Sequence, residues 1–390
     1  MLKRLAAVLL ALSMLAGLCA CGEEPSPSSV TDNPYDSVLP TPEPENKPDY
    51  TSYIDAAANW IFSNAASLYC DTAFGATLIE TTGRRGTAEA SELLPVMTAD
   101  TVKLDTAENI AKTVIAAIML GGDPTAYIEG VDLIAELRRA ENPGGWFSLP
   151  EAELPAVPGF EVTPEADVTP DAAVTPEADV TPDAEATPEA ETTPEASPTP
   201  EADDDGVPYT ALEDTLWSLI AMHMARESVN EAAVSAWLRA QAHSDGGYAF
   251  DSELSEISAT ALCLLAVGHF TCDDAKEIYN DCMQYLIASV NDEGYFVGSS
   301  TEAVPNARDQ ALATVAVIAA GENIYRGRWM FNGKSVADKL IDLQNADGSF
   351  AEPVPGDASV TATAAFALLC AQADSLIWNN YALADVEPGM

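Results

Sequence analysis

An all-α fold built from stacked helical hairpins is what this chain predicts, and three observations predict it. Ala, Leu, Ile and Val recur at three-to-four-residue spacing over about 50–155 and 207–382, the period of a helix with one apolar face. Stretches of β-branched residues alternating with period two are missing from the same regions. A short turn, a small acidic or amide residue followed by Gly and an aromatic, closes successive helical stretches. It reads Gln344-Asn345-Ala346-Asp347-Gly348-Ser349-Phe350, Gln241-Ala242-His243-Ser244-Asp245-Gly246-Gly247-Tyr248, Asn291-Asp292-Glu293-Gly294-Tyr295-Phe296 and, more loosely, Asn142-Pro143-Gly144-Gly145-Trp146-Phe147. A motif recurring at this spacing marks a repeat protein, because one hairpin alone cannot bury its apolar face.

Taken from the N-terminus, residues 1–20 read as a secretory signal: Lys3 and Arg4 precede an apolar run from Leu5 to Leu18 that is short for a membrane span. Leu18-Cys19-Ala20-Cys21-Gly22 resembles the bacterial lipoprotein box, which implies cleavage before Cys21 and lipidation of that residue. Residues 21–49, rich in Pro, Ser and acids, suit a disordered tether. Helices are predicted at 53–69, 105–120, 127–140, 209–226, 230–242, 256–269, 273–290, 307–321, 334–344 and 359–372. Asp105, Asn230, Asp273 and Asp357 or Ser359 stand where N-caps belong. Within 71–104 only Glu89 to Leu94 suggests a helical turn, ended by Pro95.

Residues 161–206 interrupt this pattern. Thr-Pro pairs begin at Thr163 and repeat every six residues to Thr199, with fifteen acids and no Lys or Arg between Glu161 and Asp205. Proline at that density forbids helix and ladder, and like charges extend the chain, so a disordered polyproline-II-like insert is expected. The turn glycines lie 47 residues apart from Gly247 to Gly294 and 54 from Gly294 to Gly348. Gly145 to Gly247 spans 102, or 57 without the 45-residue insert. The insert therefore lodges inside one repeat of a continuous array made of 50–160 and 207–382, with 383–390 as a tail.

Charge narrows the partners. The formal net charge is −45, and loss of residues 1–20 leaves 15 basic residues against 62 acidic. Such a chain repels nucleic acid and anionic lipid surfaces, so a lipid, not a basic patch, is the expected membrane contact. Five cysteines remain beyond Cys21: Cys70, Cys263, Cys272, Cys282 and Cys370. Cys263 and Cys370 fall in apolar runs and read as small buried hydrophobes, whereas Cys272 and Cys282 are a candidate disulfide. His223, His243 and His269 lack metal-ligand spacing, and neither a metal nor a cofactor is expected.

The turn motifs, together with the Ala-rich helices that follow them, are similar to the Gln-Trp repeat of the prenyltransferase and squalene-cyclase superfamily. Ser258-Ala259-Thr260-Ala261-Leu262-Cys263 and Thr361-Ala362-Thr363-Ala364-Ala365-Phe366 match one another, with Glu213-Asp214-Thr215-Leu216 and Arg308-Asp309-Gln310-Ala311 in the corresponding place. The resemblance covers most of 105–372. It implies an α/α toroid of about five hairpins, with the ring open or completed from 71–104. Gln241, Asp245, Gly246, Tyr248, Gly294, Tyr295, Gln344, Asp347, Gly348 and Phe350 are then the turn scaffold, and most of the ring positions Trp146, Phe147, Tyr248, Tyr295, Phe296 and Phe350 pack the core.

The enzymatic signatures of that superfamily are missing from the folded regions. Class II terpene cyclases use Asp-x-Asp-Asp; Thr271-Cys272-Asp273-Asp274 lacks the first Asp and reads as the start of an outer helix. The zinc site of protein prenyltransferases and the Cys-Gly-Glu-Gln thioester have no counterpart, since Cys21-Gly22-Glu23-Glu24 lacks the Gln. Glu213, Asp214, Arg308 and Asp309 begin inner helices at one mouth of the ring and are the catalytic candidates. Surface capping and mutual pairing account for the same residues. The leading expectation is a lipid-anchored, exported surface protein whose ring binds a small molecule, glycan or protein without catalysis. The alternatives are an exported cyclase-like or carbohydrate-active enzyme using those carboxylates, and a plain scaffold with a filled centre.

Overall fold

The computed structural model describes residues 47–64, 70–87, 104–149, 210–298, 304–350 and 356–383. Cys21, the tether up to 46, the Thr-Pro insert and the turn expected at Glu89 to Leu94 lie outside the described residues. Eleven α-helices are found within them: α1 Thr51–Asn64, α2 Thr72–Thr81, α3 Ala107–Met119, α4 Leu133–Ala140, α5 Ala211–Met224, α6 Glu231–Gln241, α7 Ile257–Val267, α8 Asp273–Ala288, α9 Ala307–Ala319, α10 Val336–Ile341 and α11 Ala358–Ala373. One two-stranded hairpin, β1 Met330–Phe331 with β2 Lys334–Ser335, turns through Asn332 and Gly333. Both turn residues have positive φ, the conformation that an Asn-Gly hairpin turn demands.

Six helices form a closed inner ring. α2 packs on α3, α3 on α5, α5 on α7, α7 on α9, α9 on α11, and α11 returns to α2. Of the two outcomes expected, a ring left open or one completed from 71–104, the second is found, which adds one inner helix to the expected count of about five hairpins. That helix is α2, whose Asp71 accepts from the backbone of Ala73 and Phe74 as an N-cap. Among the outer helices, α1 lies on α11, α4 on α3, α8 on α7 with α6 beside it, and α10 on α9.

Small residues permit this crowding. α7 and α11 bury nearly their whole circumference under Ala, Ser, Thr and Cys. Buried threonines meet their hydrogen-bonding need inside their own helix: Thr77, Thr113, Thr260, Thr361 and Thr363 each donate to the carbonyl four residues earlier.

The repeat turn has one geometry in four copies. Gly145, Gly246, Gly294 and Gly348 adopt φ between 81° and 95°. Each donates its N–H to a carbonyl three residues back: Asn142, His243, Asn291 and Asn345, at 2.9 to 3.0 Å. The aromatic two residues later, Phe147, Tyr248, Phe296 or Phe350, is fully buried. Its N–H donates to a side chain of the next inner helix: Thr215, Thr260, Gln310 or Thr361. Two sequence assignments change accordingly. Gly246, not Gly247, is the equivalent of Gly294, and Phe296, not the half-buried Tyr295, is the core ring.

Other differences are local. Helix 127–140 starts at Leu133, because Ile128 and Val131 bridge around Gly130. Helix 334–344 shortens to α10, its first residues being taken by β2. Thr106, not Asp105, caps α3. Asp273 opens α8 instead of capping it, and Cys272 holds the cap position. The five described cysteines are free. Cys272 Sγ lies 3.3 Å from Ser235 Oγ, while buried Cys282 meets Cys263, so the candidate Cys272–Cys282 disulfide does not form.

Candidate functional site

Because the inner helices run in register, their N-termini gather at one mouth, and the side chains there build a bowl. The outer part, about 640 Å³, lies between α5, α7 and α9 and is bounded by Glu213, Phe250, Glu256, Ser258, Arg308 and Asp309. The inner part, about 320 Å³, is walled by Asp71, Glu108, Lys112, Glu213, Trp217 and Arg308, with Phe74, Leu262 and Leu312 further round. Phe250, Glu213 and Arg308 belong to both.

The floor is aromatic. Trp378, on the 3-10 turn Ile377–Asn380 after α11, stacks on Phe366 at 4.5 Å and on Phe74 at 5.6 Å between ring centroids, with Trp217 edge-on at 6.3 Å. Its indole N–H donates to Thr77 Oγ1 at 2.9 Å. The tail then ties to the far end of α5, where Leu383 N–H donates to the Met224 carbonyl. Near that end His223 and His269 stack at 3.8 Å, and burial lowers both pKa values, that of His269 to about 3.

Lys112 is the best-held charge in the bowl. Its ammonium lies 2.7 Å from Asp71 Oδ2, bonds Glu108 and sits 4.6 Å above the centroid of Trp217. Burial opposes that charge, but Asp71 and Glu108 outweigh it and hold the pKa above the lysine range. Lys112 thereby joins α2, α3 and α5. Arg308 is held loosely by comparison: its ion pair with Glu213 spans 3.8 Å, and 53% of its side chain is exposed.

The four candidate residues divide. Glu213, Arg308 and Asp309 line the bowl, and burial raises the pKa of both carboxyls. Asp214 does not: it is 3% exposed and turned toward α3, where its Oδ1 accepts the Glu108 N–H at 2.8 Å. Burial lifts its pKa to about 7 against that hydrogen bond. Asp273 and Asp274 lie on outer helix α8, paired with Lys276 and Arg239.

Sequence reading missed Asp71, Glu108, Lys112, Trp217, Phe250 and Glu256. Lys112 did carry a signal, a lone cation in the apolar run Ile110-Ala111-Lys112-Thr113-Val114-Ile115, since a lysine there needs carboxylate partners. Glu256 precedes α7 directly; it accepts the Phe250 N–H, and burial raises its pKa, with Asp309 adding to the rise.

No family model and no curated protein matches the chain by sequence. Solved structures do match. A variant of the type II terpene cyclase MstE from Scytonema is 12% identical over 83% of this chain and 97% of its own, with a TM-score of 0.50. Unmodified MstE is 14% identical over 83% and 99%, at 0.49, and a protein from Actinoplanes is 12% identical over 83% and 100%, at 0.46. The first of these likenesses, with the closed inner ring, establishes a terpenoid-cyclase-like α/α toroid.

Proposed function

We propose that this chain is a binding protein that takes a small polar ligand into the bowl at the N-terminal mouth of its ring, and that it is exported and held at a membrane by a lipid on Cys21. The observation that carries the binding reading is the bowl itself. Its walls are charged, and Phe74 and Trp217, backed by Phe366 and Trp378, form its apolar side. A long isoprenoid chain needs a deep apolar chamber, whereas a polar wall stays wet unless a polar ligand replaces its water. The Cys21 reading rests on Leu18-Cys19-Ala20-Cys21.

Glu256 and Asp309 favour one competing reading. They are neighbouring carboxyls with raised pKa values in one cavity, the pattern that general acid and base catalysis uses. The discriminating experiment incubates the full chain, purified in detergent, with polyprenyl, oligosaccharide and amino-acid panels, following both binding and product. Saturable binding without product supports the proposal. Product formation that Asp309→Asn abolishes while the fold is intact overturns it in favour of an enzyme. Fatty-acid labelling of cells tests the anchor: label is expected on the chain and absent from Cys21→Ser, and label retained by that variant defeats the assignment.

A further inference from the structure

Arg308 stands where three cavities meet. It lines the outer bowl, the inner bowl and a third hollow of about 260 Å³ formed with Val304, Pro305, Leu343 and Val360. Its only ion pair among the described residues is the 3.8 Å contact with Glu213. A guanidinium normally seeks a bidentate carboxylate at about 2.8 Å, so the Arg308 fork is left to face the cavity. Around it lie Glu213, Glu256 and Asp309, with Phe250 between the outer and inner parts.

The inner bowl shows how the same wall treats an ammonium. Lys112 is met by two carboxylates and the face of Trp217. The outer bowl repeats that chemistry, carboxylates beside an aromatic, with no lysine of its own. A purely anionic ligand is repelled there by the carboxylates. A purely cationic one leaves the Arg308 fork unfilled, and a neutral polyol can hydrogen-bond both charges but neutralises neither. A ligand with both charges close together satisfies both sets.

We infer that the bowl is specific for a zwitterion, a free amino acid or the end of a short peptide, with its carboxylate on Arg308 and its ammonium among Glu256, Asp309 and Glu213. This specificity deepens the binding reading above and rests on it. The cavity is of the size that small-molecule sites have, roughly 300–1,000 Å³, and admits either a single residue or a tripeptide. Burial pushes up the carboxyl pKa values of Glu213, Glu256 and Asp309; an ammonium arriving among them would restore their ionised forms.

Calorimetry on the full chain in detergent tests this with the twenty free amino acids, an Ala-Ala-X tripeptide set, the C-amidated and N-acetylated forms of whichever probe binds, and maltotriose. The free acid is expected to bind, and amidation to weaken it roughly 10–100-fold, the worth of a charged hydrogen-bonded pair. Arg308→Met, a change at an exposed side chain, should cause the same loss and remove the preference for acid over amide. Glu256→Gln should lose the preference for free amine over N-acetyl. Free amino acids against tripeptides distinguishes the two sources. An amide that binds as tightly as the acid, or Arg308→Met that keeps the preference, overturns the inference. Maltotriose binding while every zwitterion fails also overturns it, yet leaves the binding reading standing. Turnover of a bound zwitterion overturns the binding reading, while the acid-over-amide preference then read in KM upholds the specificity.

Discussion

Asp214 and Lys112 are both ionisable groups withdrawn from water, and they resolve that cost differently. Lys112 is ionised because Asp71 and Glu108 surround it. Asp214 faces backbone N–H groups of α3, and burial moves its pKa from 3.8 to about 7. The folded chain therefore keeps a proton between those values that the unfolded chain releases. Asp214's contribution to stability is complete below about pH 4 and is lost as pH rises through about 7. Asp214→Asn keeps a neutral acceptor for the Glu108 N–H. Urea unfolding at pH 5 and pH 8 should show wild type losing more stability across that interval than the variant, and an equal loss in both would refute the assignment. Of the two, only Lys112 left a trace in the sequence, a lone cation in an apolar run. Asp214 sits beside Glu213 in sequence, but one residue is about 100° of helix rotation, enough to send one into the bowl and the other into the seam with α3.

At the scale of elements, the turn glycines hold the repeats together. A Cβ on Gly348 would stand 2.5 Å from the Ala56 carbonyl oxygen of α1, and one on Gly145 would meet the backbone of Ala233 and Val234 at 2.3 to 2.5 Å. Gly333 has a similar φ of 81° but open space around it. Gly333→Ala should cost only the left-handed backbone penalty, about 1–2 kcal/mol. Gly348→Ala adds displacement of α1 and should cost clearly more in chemical denaturation; equal losses would show that the close approach is unimportant. The turns were readable from sequence because glycine and a following ring are rare and regular. α2 was not. Its residues from Thr72 to Ile79 are buried on every side, which leaves no polar face to generate a periodic pattern. Gly75 sits mid-helix, where a Cβ would stand 3.2 Å from Cys70 Sγ, a tight approach.

For the molecule as a whole, closure was the feature sequence could not supply. Local period and turn chemistry specify hairpins, whereas the meeting of α2 with α11 joins segments nearly 290 residues apart. Asp71 N–H donates to Ser359 Oγ at that junction, while Tyr50 N–H to Gln372 Oε1 and Gln344 to the Tyr53 carbonyl tie the start of α1 to α11 and to the last repeat turn. Every one of these closing contacts joins residues outside 161–205. Loop entropy changes by only about 0.6 kcal/mol per doubling of length. Replacing 161–205 with a short Gly-Ser linker should therefore leave the unfolding free energy within about 1 kcal/mol of wild type, and a larger loss would give that stretch a structural role. The Trp378 floor has a kinetic corollary. Phe74 and Trp217 line the inner bowl with Phe366 and Trp378 stacked behind them, so a ligand of the kind proposed would exchange through the N-terminal mouth. Anything that merely crowds the rim near Leu254 and Val304, both exposed, slows capture and escape by the same factor. For the proposed ligand, exchange times would lengthen while the dissociation constant stayed fixed, which would make occupancy and exchange of the bound pool separately adjustable.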